Sequence, residues 1–560
     1  MSFVPDDLDG ASWQAIEPHM NDLRDRALNC SGCLTKFIAD RSALAEIISE
    51  ARARLYIDMT CQTDDEAVQK AWMDFVENVE PKLSEYSDIL NRRLAGHEAV
   101  GDLPDRYDVL LKGMMTDIEI FREENIPLDT AVTKLDTEYN EICGAQTVEF
   151  DGEEKTFAQM AIYLENTDRA VREAAWRAVS ERRFEDSERV SEIYDELIRI
   201  RHQIATNAGF DGYQHYMFAA MHRFDYSIEH CLEFHDSIEA VCQPLRHKTD
   251  AERKQALGVE SLRPWDMGVD VKGRPPLTPF TDVQDMIDGC SRIFHSMSDE
   301  LGDLFDQLDA NDCLDLESRK GKAPGGYQYY LQKSRLPFIF MNAAGTQRNV
   351  ETMIHEAGHA FHSFYSGHLD LIHERDSPIE FAEVASMSME LLTHPQWTEF
   401  YSEQDADRAR RNHLEDIIAL MPWIATIDAF QHWIYANPEH TREERVEKWL
   451  ELGERFGSHL DYEGLDHIHE LSWQRQGHLF GVPFYYVEYG IAQLGALQMW
   501  QYHRRDSTNA LARYKAGLAL GYTRGLTELF EASGLALSFS EEHVSGIIAE
   551  IESALDDIPA

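Results

Sequence analysis

Positive charge is scarce in this chain: 52 lysines and arginines face 101 aspartates and glutamates, a formal net charge of −49. A surface so acidic repels phosphate backbones and anionic headgroups, so neither nucleic acid nor a membrane is the expected partner. Such charge keeps a solvated protein soluble or attracts cationic peptides. Long apolar runs are also missing. No stretch approaches the roughly 18 consecutive apolar residues of a membrane span. The start, Met1-Ser2-Phe3-Val4-Pro5-Asp6-Asp7, is acidic where a secretory leader is basic and then apolar. The default expectation is a cytoplasmic protein. Cysteine is sparse, eight in 560 residues, which rules out a disulfide scaffold. Cys30 and Cys33 form one C-x-x-C without a second pair at zinc-site spacing and read as incidental. Internal repeats and low-complexity tracts are absent.

What is present reads as a folded, mainly α chain, with 43% hydrophobic and 10% aromatic residues and length enough for a large core. Apolar residues recur at spacings of three and four over 36–58, 104–124, 156–206, 412–436, 484–504 and 541–555. The same pattern runs from 64 to 95, where Pro81 suits the start of a second helix. Two β signals interrupt it. Thr147–Thr156 centres on Asp151-Gly152, a hairpin turn. Tyr327–Leu331 and Pro337–Met341 read as neighbouring strands, and 337–342 could offer an edge to a substrate backbone. Val269–Pro279 reads as a loop. The expected division is a helical N-terminal region, 1–190, carrying the hairpin, and a catalytic region, 191–560.

The chemistry concentrates in His355-Glu356-Ala357-Gly358-His359, set in a helical pattern. Residues four apart on a helix share one face, so both imidazoles can reach one tetrahedral zinc. A carboxylate directly after the first histidine sits beside the metal and can take a proton from its water. In a chain with 24 histidines the pattern can arise by accident, so its surroundings decide. Ile354, Ala357, Gly358 and Phe361 suit a buried helix, in which two histidines need partners. The variant with a third histidine downstream fails, because His362 and Tyr365 stand where it needs glycine and histidine. A glutamate from the next helix then completes the set. Glu380, Glu383 and Glu390 are the candidates; Glu383 is favoured as ligand, and Glu390 as either an acceptor orienting a ligand histidine or a plain polar position.

The HEAGH motif, followed by Phe381-Ala382-Glu383-Val384-Ala385-Ser386, resembles the M3 family of metallopeptidases, the thimet oligopeptidase and oligoendopeptidase F group. Pro337–Asn342, His478–Gly490 and Tyr514–Gly534 agree with it, and the E-V-A-S wording favours the oligoendopeptidase F branch. The resemblance implies an ellipsoidal helical fold around a deep channel, with a small sheet beside the active-site helix. It implies one zinc ion held by His355, His359 and Glu383, and Glu356 as the base. From the segment after His478 it implies that His478 and one of the tyrosines stabilise the oxyanion; Tyr489 is the choice, with Tyr485 and Tyr486 as neighbours. The expected activity is cleavage of internal bonds in short unstructured peptides. Two rivals stand beside it: a helical zinc carboxypeptidase, for which Arg348 or Arg375 would receive the terminal carboxylate, and a non-catalytic peptide-binding protein with structural zinc. Nothing in the sequence speaks to oligomeric state.

Overall fold

A computed structural model describes residues 3–28 and 31–558, so the reading of the Cys30-x-x-Cys33 motif as incidental falls on a residue, Cys30, outside the described ones. The chain is mainly helical, with a two-stranded and a three-stranded sheet. The expected helix pair between 64 and 95 is present as Glu66–Asn78 and Glu80–Ala95, with Pro81 in the first turn of the second. The long pattern over 156–206 is instead three helices, Phe157–Leu164, Arg169–Glu185 and Ser187–Ala208. Asp168 caps the second, accepting the Ala170 amide, and so breaks a periodicity that otherwise runs on.

Strands β1 (Thr147–Phe150) and β2 (Glu153–Thr156) form the expected hairpin. Asp151 and Gly152 both have positive φ, 54° and 79°, as the tight turn requires. The larger sheet holds β3 (Leu314–Glu317), β4 (Tyr327–Leu331) and β5 (Leu336–Ala343), in the order β3-β5-β4. Strands β4 and β5 are neighbours, as expected, and pair antiparallel, but β5 is the central strand. Both its edges are used, so the 337–342 segment offers no free edge, and that expectation is corrected. The strand left open on the side that borders the cleft is β4, with Gly325–Tyr330 along the cavity wall.

Helices Gln347–Ser366, Ile379–Leu392 and Tyr486–Arg505 form the centre of the main core. The second of these is apolar or small on nearly every face (FAEVASMSMELL), as a helix enclosed by others must be. Small residues set the spacing between them. A Cβ on Gly495 would lie 2.8 Å from a Val384 methyl. A second core, from Val4 to Met114, gathers the N-terminal helices and reaches Leu371. It is tied to the elements around the larger core by Arg106–Glu374 and Arg375–Glu46, both at 2.7 Å. Between the two halves lies a cavity of about 1620 Å³, lined by residues from Ser49 to Tyr489. That exceeds the roughly 300–1,000 Å³ of a small-molecule pocket and has room for an extended peptide. Among the described residues, one helix, Glu403–Ala436, is apolar and long enough to cross a membrane, but 72% of its most apolar stretch is buried within the protein.

Candidate active site

The motif helix Gln347–Ser366 starts where Asn349 Oδ1 accepts from the Ala344 and Thr346 amides and the Thr346 hydroxyl. One turn apart on its cleft side stand His355 and His359, ring centroids 5.0 Å apart and nearly perpendicular. Glu383, on helix Ile379–Leu392, meets both: its Oε2 lies 3.3 Å from His355 Nε2 and 3.4 Å from His359 Nε2. The three donor atoms lie within 4.8 Å of one another. Two imidazole nitrogens and one carboxylate oxygen are the donor set of a catalytic zinc site with an open position. Glu356 also lines the cavity; its Oε2 is buried and has no hydrogen-bond partner.

The glycine of the motif explains how two helices come this close. A Cβ on Gly358 would lie 2.5 Å from Ser386 Cα and 2.8 Å from the Ala385 carbonyl oxygen. Both are backbone atoms, so nothing there can rotate aside. Gly358→Ala is therefore expected to push the helices apart, costing roughly 1–3 kcal/mol and moving Glu383 off the two histidines. Urea unfolding together with metal titration checks this; an unchanged midpoint and unchanged metal affinity would refute the packing argument.

Further contacts fix the ring orientations. His355 Nδ1 donates to Glu390 Oε1 at 2.6 Å, leaving Nε2 facing Glu383. Of the two readings of Glu390, the structure places it as the orienting acceptor. Its Oε2 meets His413 Nε2 at 2.8 Å, and His413 Nδ1 meets His394 Nε2 at 2.8 Å. Glu383 Oε1 accepts the Tyr485 hydroxyl at 2.6 Å, and Oε2 accepts Ser386 Oγ at 3.0 Å. Sequence reasoning missed His413, His394 and Ser386. Only Ser386, one turn from Glu383, carried a signal, in its helical spacing.

Electrostatics separate the carboxyls. Burial works against charge on Glu383, yet the adjacent imidazoles hold it well below the usual range. Burial likewise opposes charge on His355, and its bonds to Glu383 and Glu390 overcome this and raise its pKa well above normal. Glu356 has no comparable partner, so burial raises its pKa. Burial lowers His478 to about 4, leaving a neutral ring at neutral pH.

The cavity is also lined by His478, Tyr485 and Tyr489. Gln476 Nε2 lies 2.7 Å from His478 Nδ1, and His478 Nε2 lies 3.1 Å from the Tyr489 oxygen. With the amide donating to Nδ1, the ring proton sits on Nε2 and is donated to the Tyr489 oxygen. The Tyr489 hydrogen is then free for a group in the cleft. Tyr486 packs against His478, ring centroids 5.0 Å apart, and is buried behind it without lining the cavity. Phe484 has a left-handed backbone, φ 66°. Its amide donates to Gln431 Oε1 and its carbonyl accepts from Arg223, which holds the turn that aims Tyr485 at Glu383. Of the two arginines considered for a terminal carboxylate, Arg375 is buried and bound to Glu46 and Gln332, and Arg348 pairs with Glu351 at 3.3 Å.

With this geometry established, comparisons with known proteins agree. A family model described as peptidase family M3 matches residues 162–547. The oligopeptidase PepF of Bacillus subtilis is 23% identical over 326 residues, 56% of this chain and 47% of that protein, so the match spans under half of that relative. An oligoendopeptidase F homolog of Borreliella burgdorferi is 22% identical over 462 residues, 78% of this chain and 75% of the homolog. The solved structure of PZ peptidase A with an inhibitor superposes with a TM-score of 0.94 at 28% identity, over 98% of both chains. That of oligoendopeptidase F from Enterococcus faecium shares the fold, with a TM-score of 0.65 at 16% identity over 97% of both chains.

Proposed function

Because the chain belongs to peptidase family M3, within the oligoendopeptidase F group of metallopeptidases, we propose that it is a zinc-dependent endopeptidase. Its substrates are short, unstructured peptides drawn into the 1620 Å³ cleft. The observation that carries this reading is the meeting of His355, His359 and Glu383 at one point of the cleft wall, with the unpartnered Glu356 carboxylate beside them. Zinc bound by these three residues supplies a Lewis acid that makes water acidic and offsets charge on the scissile carbonyl.

The remaining work belongs to the protein. Glu356 takes the proton of the attacking water and passes it to the departing amine. Tyr489, held by neutral His478, donates its free hydrogen to the carbonyl oxygen as negative charge grows there. Tyr485 holds Glu383 in place rather than touching substrate. The open side of β4 can pair with a peptide backbone of any sequence, which suits broad recognition of unfolded chains. A cleft enclosed by two halves of the fold admits such chains and keeps folded proteins out.

The carboxypeptidase reading is weakened by Arg375 and Arg348, each already paired with a carboxylate. A purely structural zinc is weakened because these donors face an open cavity, whereas structural sites are usually closed off from solvent. A quenched peptide with an amidated C-terminus separates these readings. Cleavage at an internal bond, lost with a chelator and restored by zinc, is the expected result. Failure to cut the blocked peptide while cutting its free-acid form would favour the carboxypeptidase, and no cutting of either would favour the binding protein.

A further inference from the structure

A second donor cluster lies away from the cleft, inside the helical core. Helix Ile228–Leu257 carries Cys231 and His235 four residues apart, and helix Glu403–Ala436 carries Asp428 and His432 at the same spacing. Each helix therefore presents two ligand-type side chains on one face, one turn apart. All four are buried, with relative exposures of 0% for Cys231, 2% for His235, 0% for Asp428 and 8% for His432. Donor atoms of Cys231, Asp428 and His432 lie within 4.8 Å of one another, the same bound met by the active-site trio.

The hydrogen bonding leaves this cluster incomplete. His235 Nε2 meets Asp428 Oδ2 at 2.8 Å, which accounts for one carboxylate oxygen. Asp428 Oδ1 and His432 Nε2 are buried atoms with no hydrogen-bond partner. His432 Nε2 is 3.4 Å from Asp428 Oδ2, too poorly placed to satisfy either group. An orphaned carboxylate oxygen and an orphaned ring nitrogen beside a buried thiol are costly as they stand. The Arg223 guanidinium, bound to Glu488 through Nη2 at 2.6 Å, makes no hydrogen bond to either orphaned atom.

We propose that Cys231, Asp428 and His432 form a second, structural metal site for a zinc-class divalent cation, with His235 orienting the Asp428 carboxylate. Thiolate, imidazole and carboxylate are the donors such a cation prefers, and thiolate plus carboxylate balance its two charges in a buried place. On binding, the Cys231 S–H bond breaks, the sulfur binds the cation, and the proton leaves to solvent. A tetrahedral site with bonds of about 2.0–2.3 Å places its donors roughly 3.5 Å apart.

The site lies beneath the catalytic wall. The His432 ring is 5.1 Å from that of Phe484, and the adjacent Gln431 accepts the Phe484 amide. A cation joining the two helices here would brace the left-handed turn that positions Tyr485.

The test is metal content of the full chain, expressed with zinc, dialysed and measured by plasma mass spectrometry. The His355→Ala/His359→Ala variant lacks both histidine ligands of the active site and should retain about one equivalent. Adding Cys231→Ser, or in a separate variant Asp428→Asn, should remove it. Loading cobalt into the His355→Ala/His359→Ala variant should give a near-ultraviolet thiolate-to-cobalt band, a readout that stands even where the added substitutions do not fold. Absence of metal and of that band in this variant overturns the proposal. So does metal that persists after Cys231 or Asp428 is replaced.

Discussion

Glu356→Gln is expected to bind zinc as the wild type does and to lose hydrolysis on the order of 10³–10⁴-fold, near the upper range for a general base. Glutamine keeps the shape of the side chain and its place on the motif helix, so the Gly358 contact and the His355–Glu383 and His359–Glu383 approaches are undisturbed. What it loses is the ability to hold a proton in transit. Glu356 is suited to that task because its Oε2 is buried yet unclaimed by any donor, whereas Glu383 and Glu390 are fully engaged. Burial also makes it a stronger base than a solvated carboxylate. Single-turnover kinetics with metal analysis of the same sample checks the claim. A variant with near-normal turnover would move the base elsewhere.

Tyr489→Phe is expected to lower kcat on the order of 10²–10³-fold, the usual cost of one oxyanion donor, with KM and zinc content little changed. The substitution removes one hydroxyl whose oxygen is occupied by His478 and whose hydrogen faces the cleft. It leaves the Tyr485–Glu383 bond intact. Tyr485→Phe should behave differently, weakening metal affinity by roughly 10–100-fold through the freed Glu383 oxygen. Two neighbouring tyrosines thus carry distinct roles, and the kcat-against-affinity split tells them apart. If both variants lost metal equally, the division would be wrong.

How far the sequence foretells this arrangement depends on how local each signal is. The HEAGH spacing, the Asp151-Gly152 turn and the Pro81 helix start are set by a few neighbouring residues and are legible as such. The two interruptions of 156–206 are hard to read because helical periodicity continues across both; the Asp168 cap marks the first, and no side-chain cap marks the second, at Asp186. Strand β3 went unseen because Leu314–Glu317 is four residues long and half acidic, and its presence is what makes β5 central. His413 and His394 belong to separate elements, and only tertiary packing puts them behind Glu390. The placement of Tyr486 behind His478, while Tyr485 and Tyr489 face the cleft, depends on the left-handed turn at Phe484, which no periodicity announces.

Diffraction at the zinc absorption edge locates the cation that His355, His359 and Glu383 are proposed to share. An anomalous peak is expected within about 2.0–2.2 Å of His355 Nε2, His359 Nε2 and a Glu383 oxygen. A zinc-loaded crystal with no peak between those three side chains would overturn the proposed site.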